Sequence, residues 1–138
     1  MTSHTCTAIV FTCIDWRLHP QVERLCKEKY GTFDLCATAG AIKGFEDQKI
    51  KNFLLEQIAI SHKLHEITIV VLTAHHDCGA YGGVKAFEDK DAEIEHHKKE
   101  LEKVASTVSE KFPNLTVETY FLDLHEEGGT HTGELKEL

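Results

Sequence analysis

The sequence predicts an α/β domain with a mostly parallel four-stranded sheet flanked by helices and a short fifth strand at one edge. Two observations carry this. Runs rich in β-branched residues alternate with segments of helical period along the 138 residues. Apolar residues make up 41 % and charged residues 28 %, a balance that supports a packed core over a disordered chain. The length suits one domain covering 1–138.

The elements follow in order. Residues 7–12 (TAIVFT) read as a buried strand. Residues 20–30 carry apolar and charged side chains at helical spacing, and Gly31 closes them. Residues 33–38 form a second, shorter strand. Over 45–63, Ile50, Phe53, Leu54, Ile58 and Ala59 fall on one side of a helix. Residues 66–73 (EITIVVLT) are the strongest strand in the chain. A polar helix spans about 91–110, with Pro113-Asn114 as its stop, and residues 115–124 make a fourth strand. From Gly128-Gly129 onward the tail is turn-rich, with room for one short edge strand. Strands separated by helices give parallel pairing through right-handed crossovers.

Charge and composition exclude several classes. The formal net charge is −8, the wrong sign for nucleic acid or an anionic membrane surface. No apolar stretch approaches the roughly 20 residues of a membrane span. Met1-Thr2-Ser3-His4-Thr5 lacks the basic and apolar regions of a signal peptide, so a cytoplasmic location is expected. The five cysteines include no C-x-x-C pair and suit a reducing compartment. Cys6, Cys26 and Cys36 are read as packing residues. His96, His97, His125 and His131 sit in polar surroundings and are read as surface residues.

Two clusters carry chemistry. Cys13 ends the first apolar run, with Asp15 and Arg17 at alternate positions after it. His75 and Cys78 end the third strand. In open α/β sheets ligands bind beyond the carboxyl ends of strands, where strand order reverses. If the first and third strands are neighbours, Cys13, His75 and Cys78 meet as a Cys2His zinc set with one open position. The His75–Cys78 pair alone would equally suit a buried thiol beside a hydrogen-bonded imidazole. In an extended segment Cys13, Asp15 and Arg17 share one side, and Asp15 pairs with Arg17 in a charge-assisted, bidentate contact. Zinc would bring its bound water near pH 7, giving a hydroxide able to attack CO2. Asp15 then either accepts a hydrogen bond from that hydroxide or fills the fourth position and shuts the site. His76 and Asp77 are read as outer supports or a proton shuttle. The small-residue stretch after Cys78 is read as a helix start that favours its thiolate.

Cys13-x-Asp15-x-Arg17 with His75-x-x-Cys78-Gly79 resembles the β-class carbonic anhydrases, whose C-x-D-x-R and H-x-x-C-G motifs supply the zinc ligands and an Asp–Arg dyad. The short archaeal-type and bacterial-type branch is the nearest in pattern. Ala39-Gly40 falls at the family's R-N-A-G segment, although Ala37-Thr38 stands where the family has Arg-Asn. Trp16 replaces the usual small residue, and twelve residues precede Cys13. The resemblance implies one Zn2+ per chain on Cys13, His75 and Cys78, with Asp15 and Arg17 catalytic. It also implies Ala39, Gly40 and Gly79 in the substrate pocket, reversible hydration of CO2 to bicarbonate, and a homodimer or larger homo-oligomer. Two other readings stay open: a hydrolase of COS or CS2 on the same zinc, and a zinc-binding relative with weak catalysis.

Overall fold

The computed structural model describes residues 4–138. The elements are β1 (Ala8–Thr12), α1 (His19–Tyr30), β2 (Phe33–Ala37), α2 (Gln48–His65), β3 (Ile69–His75), α3 (Lys90–Lys111), β4 (Thr116–Glu127) and β5 (Thr130–Glu137). Short 3-10 turns occupy Ala41–Glu46, Gly79–Tyr81 and Val84–Ala86. The strands form one sheet in the order β2-β1-β3-β4-β5. Pairings among the first four are parallel, and β5 runs antiparallel to β4. Among the described residues no helix is long and apolar enough to cross a membrane.

Both faces of the sheet are covered, which is why β1 is buried at every position. Alternation along β1 divides the core in two. Ile9 and Phe11 pack with Leu54 and Ile58 of α2 and with Leu101, Val104 and Val108 of α3. Ala8 and Val10 pack on the opposite face with Val22 and Cys26 of α1. The chain moves outward from β1 to β2, then crosses back to β3 on the other side of β1. Strand order therefore reverses between β1 and β3, and their carboxyl ends flank a crevice. The site lies there.

Four local features differ from the sequence expectation. The helix expected from residue 45 begins at Gln48, because the Asp47 carboxylate caps it, accepting from the Lys49 and Ile50 N–H groups at 2.9 and 3.1 Å. Glu66, expected in a strand, is the left-handed cap of that helix, with φ 54°. The fifth strand is eight residues long, paired along its whole length with an extended β4. Gly128 and Gly129, both at positive φ, provide the two-residue turn of the hairpin. His97, expected on the surface, is fully buried against Tyr81, Phe87 and Phe121. Glu93, His97, Leu101, Val104 and Val108 recur every three to four residues and form the inner stripe of α3. Burial pushes the His97 imidazole down to about 4, so the ring is neutral.

Asp123 of β4 is also buried, and its carboxylate pairs with Lys90 at 2.5 Å, Lys136 at 2.8 Å and His125 at 3.5 Å. Burial raises its pKa, but the two lysines outweigh burial and hold it below the ordinary value. A depressed folded-state pKa gives stabilisation that is complete above the unfolded value near 3.9 and is lost as pH falls through the folded value. The urea midpoint of the parent should therefore fall more steeply than that of Asp123→Asn between about pH 5 and pH 2. Parallel profiles would contradict this role for Asp123.

Candidate metal centre

Cys13 follows β1 directly, His75 is the last residue of β3, and Cys78 lies three residues further on. All three are buried. Their ligand atoms lie within 4.8 Å of one another, and Asp15 is not a member of that group. The two sulfurs are 4.0 Å apart. Two thiolates on one tetrahedral zinc, each at about 2.3 Å, would lie about 3.8 Å apart, so the spacing fits. The His75 Nδ1–H donates to the His76 carbonyl at 2.8 Å. That bond selects the tautomer with a lone pair on Nε2, and Nε2 is a buried atom with no hydrogen-bond partner. A buried, unpartnered nitrogen beside two sulfurs is a donor set that could hold a zinc ion.

Either of the two thiols can donate to the other. The Cys78 thiol beside it lowers the Cys13 pKa against the effect of burial, helped by His75 and by the Gly40 and Asp15 N–H groups. Cys13 and burial push Cys78 up. A cation entering the site displaces the thiol proton and removes the repulsion between two thiolates. Gly40 N–H donates to Cys13 Sγ at 3.3 Å. The stretch after Cys78 is a three-residue 3-10 turn rather than a helix start; its Ala80 and Tyr81 N–H groups still favour the thiolate.

Asp15 and Arg17 lie in a turn, closed by Leu18 N–H to the Asp15 carbonyl at 3.0 Å, not in the extended segment the alternation suggested. The turn brings them together all the same. Arg17 donates from Nε to Asp15 Oδ1 and Oδ2 at 3.1 and 3.2 Å, and from its second terminal nitrogen to Oδ2 at 2.6 Å. The Arg17 backbone N–H adds a bond to Oδ1 at 3.0 Å. These bonds from Arg17 outweigh burial and hold the Asp15 carboxyl below the usual range. The guanidinium also reaches Asp77, bonding its carboxylate at 3.1 Å and its carbonyl at 3.0 Å. Arg17 therefore ties the loop after β1 to the loop after β3.

Asp77 sits at φ 60°, a left-handed conformation uncommon for a residue with a side chain. A residue that the motifs did not reveal holds it. Glu93 of α3, 1 % exposed, accepts from Asp77 N–H at 2.9 Å and from His76 Nδ1 at 2.6 Å. Its sequence signal was its place on the inner stripe of α3. His76 and Asp77 thus face Glu93 and Arg17 and act as supports of the loop.

Ala39, Gly40 and Gly79 line a cleft of about 740 Å³ together with Cys13, Asp15 and Arg17. Ile14 and Trp16 complete its wall and stand 56 % and 70 % exposed. The expected ligand, catalytic and pocket residues open onto this one cleft, apart from the buried His75 and Cys78; His76 lies outside it, against Glu93.

A family model described as "Putative carbonic anhydrase" matches residues 1–128. The chain belongs to this carbonic anhydrase family. An uncharacterized protein of Rickettsia bellii is 29 % identical over 131 residues, covering 89 % of this chain and 80 % of that one. Another from Rickettsia conorii is 28 % identical over 131 residues, covering 89 % and 70 %. Among solved structures, a beta-carbonic anhydrase of the ascomycete Sordaria macrospora, one of two described as tetrameric, superposes with a TM-score of 0.62 at 17 % identity, over 97 % of this chain and 81 % of that one. Beta-carbonic anhydrase isoform I of Trichomonas vaginalis superposes at 0.60 and 14 % identity, over 100 % and 87 %. The likeness establishes a β-carbonic-anhydrase fold for this member of the family.

Gly40 tests the sulfur environment of the site. Its φ is 76°, and a Cβ there would fall 2.8 Å from Lys43 Cβ and 3.0 Å from Ala80 Cβ. Gly40→Ala should displace the N–H that supports Cys13 and weaken zinc binding by about 10- to 100-fold in a chelator competition. Unchanged affinity would show that this N–H does not matter to the site.

Proposed function

We propose that the protein is a zinc-dependent carbonic anhydrase that interconverts CO2 and bicarbonate, with Cys13, His75 and Cys78 as metal ligands and Asp15 and Arg17 as the catalytic pair. The observation that carries the reading is the Arg17 clamp. It fixes Asp15 at the edge of a Cys2His set while keeping it out of the ligand group. A zinc held only for structure has no use for such a clamp. Zinc at this site supplies a Lewis acid that makes water acidic near neutral pH.

The chain's own residues do the rest. Asp15, kept ionised by Arg17, accepts a hydrogen bond from the reacting water and fixes its orientation toward CO2. Arg17 is itself anchored by Asp77, so Asp15 cannot swing toward the sulfurs without either breaking its bonds to Arg17 or pulling Arg17 off Asp77. Ala39, Gly40 and Gly79 leave a small, largely apolar floor where a linear apolar substrate can lie. The cleft is wide and open to solvent, and nothing in its shape favours COS or CS2 over CO2.

Assembly and location belong to the same reading. Leu35 is 55 % exposed on β2, the unpaired edge of the sheet, and Ile14 and Trp16 expose further apolar surface at the cleft mouth. Such surface supports a homodimer or larger homo-oligomer, as the Sordaria macrospora proteins are tetrameric. The cysteines of the described residues are all free, which suits a reducing cytoplasm.

Stopped-flow CO2 hydration tests the proposal. The zinc-loaded parent should be active, and Asp15→Asn and Arg17→Ala should each lose about 10²-fold or more in kcat/KM at unchanged zinc content. Equal rates for all three would overturn the catalytic assignment. Sedimentation of the same parent should show a dimer or larger species, and an active monomer would overturn the assembly.

A further inference from the structure

We propose that Cys6, Asp34 and His65, with His4 as fourth ligand, form a second zinc site at the amino-terminal end of the sheet. One thiol sulfur, one carboxylate oxygen and one imidazole nitrogen, from the segment before β1, from β2 and from α2, lie within 4.8 Å of one another. The His4 ring packs edge-on against the His65 ring with centroids 4.7 Å apart, placing a second imidazole at the cluster. This group is remote from the metal centre. Cys6 precedes β1 and Cys13 follows it, and a five-residue strand alone spans about 17 Å.

The main chain positions the donors. Cys6 N–H donates to the His65 carbonyl at 3.0 Å, pinning the start of β1 to the end of α2. Asp34 lies in β2 beside Ile9 of β1. Its carboxylate is oriented by the buried Ser61, whose hydroxyl donates to Oδ2 at 2.6 Å. His65 Nδ1 lies 2.6 Å from the same oxygen. Ser61 thus plays the outer-support part that hydrogen bonds to a ligating carboxylate commonly play in metal sites.

Chemistry and charge select the ion. A thiolate and a carboxylate carry two negative charges, which one divalent ion neutralises while the imidazoles stay uncharged. Sulfur with imidazole favours zinc over magnesium or calcium. His65 is the last residue of the 18-residue helix α2, whose carboxyl end attracts a cation. Without a cation, burial and then the Asp34 charge keep the Cys6 thiol protonated. Zinc binding would release that thiol proton to solvent, while each ligating imidazole keeps one proton on its other ring nitrogen. Four protein ligands leave no open position, so this zinc would fasten the amino-terminal segment to β2 and α2 and would take no part in catalysis. Cys6 then has a task beyond packing.

Zinc content of the full chain decides the matter, measured after loading with zinc and desalting. Cys6→Ser and His65→Gln should each carry one zinc equivalent fewer than the parent. Cys13→Ser should lose a different equivalent, additively with Cys6→Ser. Retention of the Cys13-dependent zinc in Cys6→Ser shows that the variant is folded. With cobalt in place of zinc, Cys6→Ser should lose about one third of the thiolate-to-metal absorption, since one of three ligating sulfurs is gone. Equal metal content in the parent, Cys6→Ser and His65→Gln would overturn the second site, whatever the Cys13 centre binds.

Discussion

Parallel pairing of β1 with β3 is the constraint on which the site depends. The register sets Phe11 beside Leu72, so the chain leaving β1 at Cys13 emerges at the level where β3 ends at His75. The two strands are joined only through α1, β2 and α2, and they become neighbours because the chain reverses direction across the sheet at this point. A one-residue slip would turn Phe11 out of its cluster with Leu54 and Leu101 and carry Cys13 away from His75. The register that fills the core is therefore also the register that assembles the donors. Stability and function draw on the same hydrophobic contacts.

Beyond the strand ends, a polar chain of contacts takes over. Glu93 holds the His76 imidazole and the Asp77 backbone N–H, Asp77 holds Arg17, and Arg17 holds Asp15. The His76 carbonyl in the same loop sets the His75 tautomer. A left-handed Asp77 costs on the order of 1 kcal/mol, and the hydrogen bonds to Glu93 and Arg17 offset it. Burying Glu93 is tolerable because its carboxylate has two donors. One acidic residue on a helix thus organises both a candidate ligand and the Asp–Arg pair.

The parallel strands and both halves of the candidate site were legible in the sequence because buried parallel strands are continuous apolar runs, and because C-x-D-x-R and H-x-x-C fall at strand ends. The fifth strand was under-read. THTGELKE is polar, since only alternate residues are partly covered, and its pairing depends on β4 rather than on its own composition. His97 and Glu93 were missed for one reason: α3 is polar on average, and its narrow inner stripe includes two polar residues that the fold buries. The Asp15–Arg17 contact was expected from strand alternation and arises from a turn, so the pairing was right and its geometry was not. Asp47 as helix cap was visible as a residue and overlooked as a signal. Contacts between distant segments, such as Cys6 with Asp34 and His65, leave no pattern in the chain.

X-ray absorption at the zinc edge addresses the metal centre most directly, using Cys6→Ser so that only one site is loaded. The expected spectrum has two sulfur neighbours at about 2.3 Å and lighter neighbours at about 2.0 Å, with the sulfur signal lost on further changing Cys13 and Cys78 to serine. A zinc surrounded only by nitrogen and oxygen, or a protein that binds none, would contradict the centre formed by Cys13, His75 and Cys78.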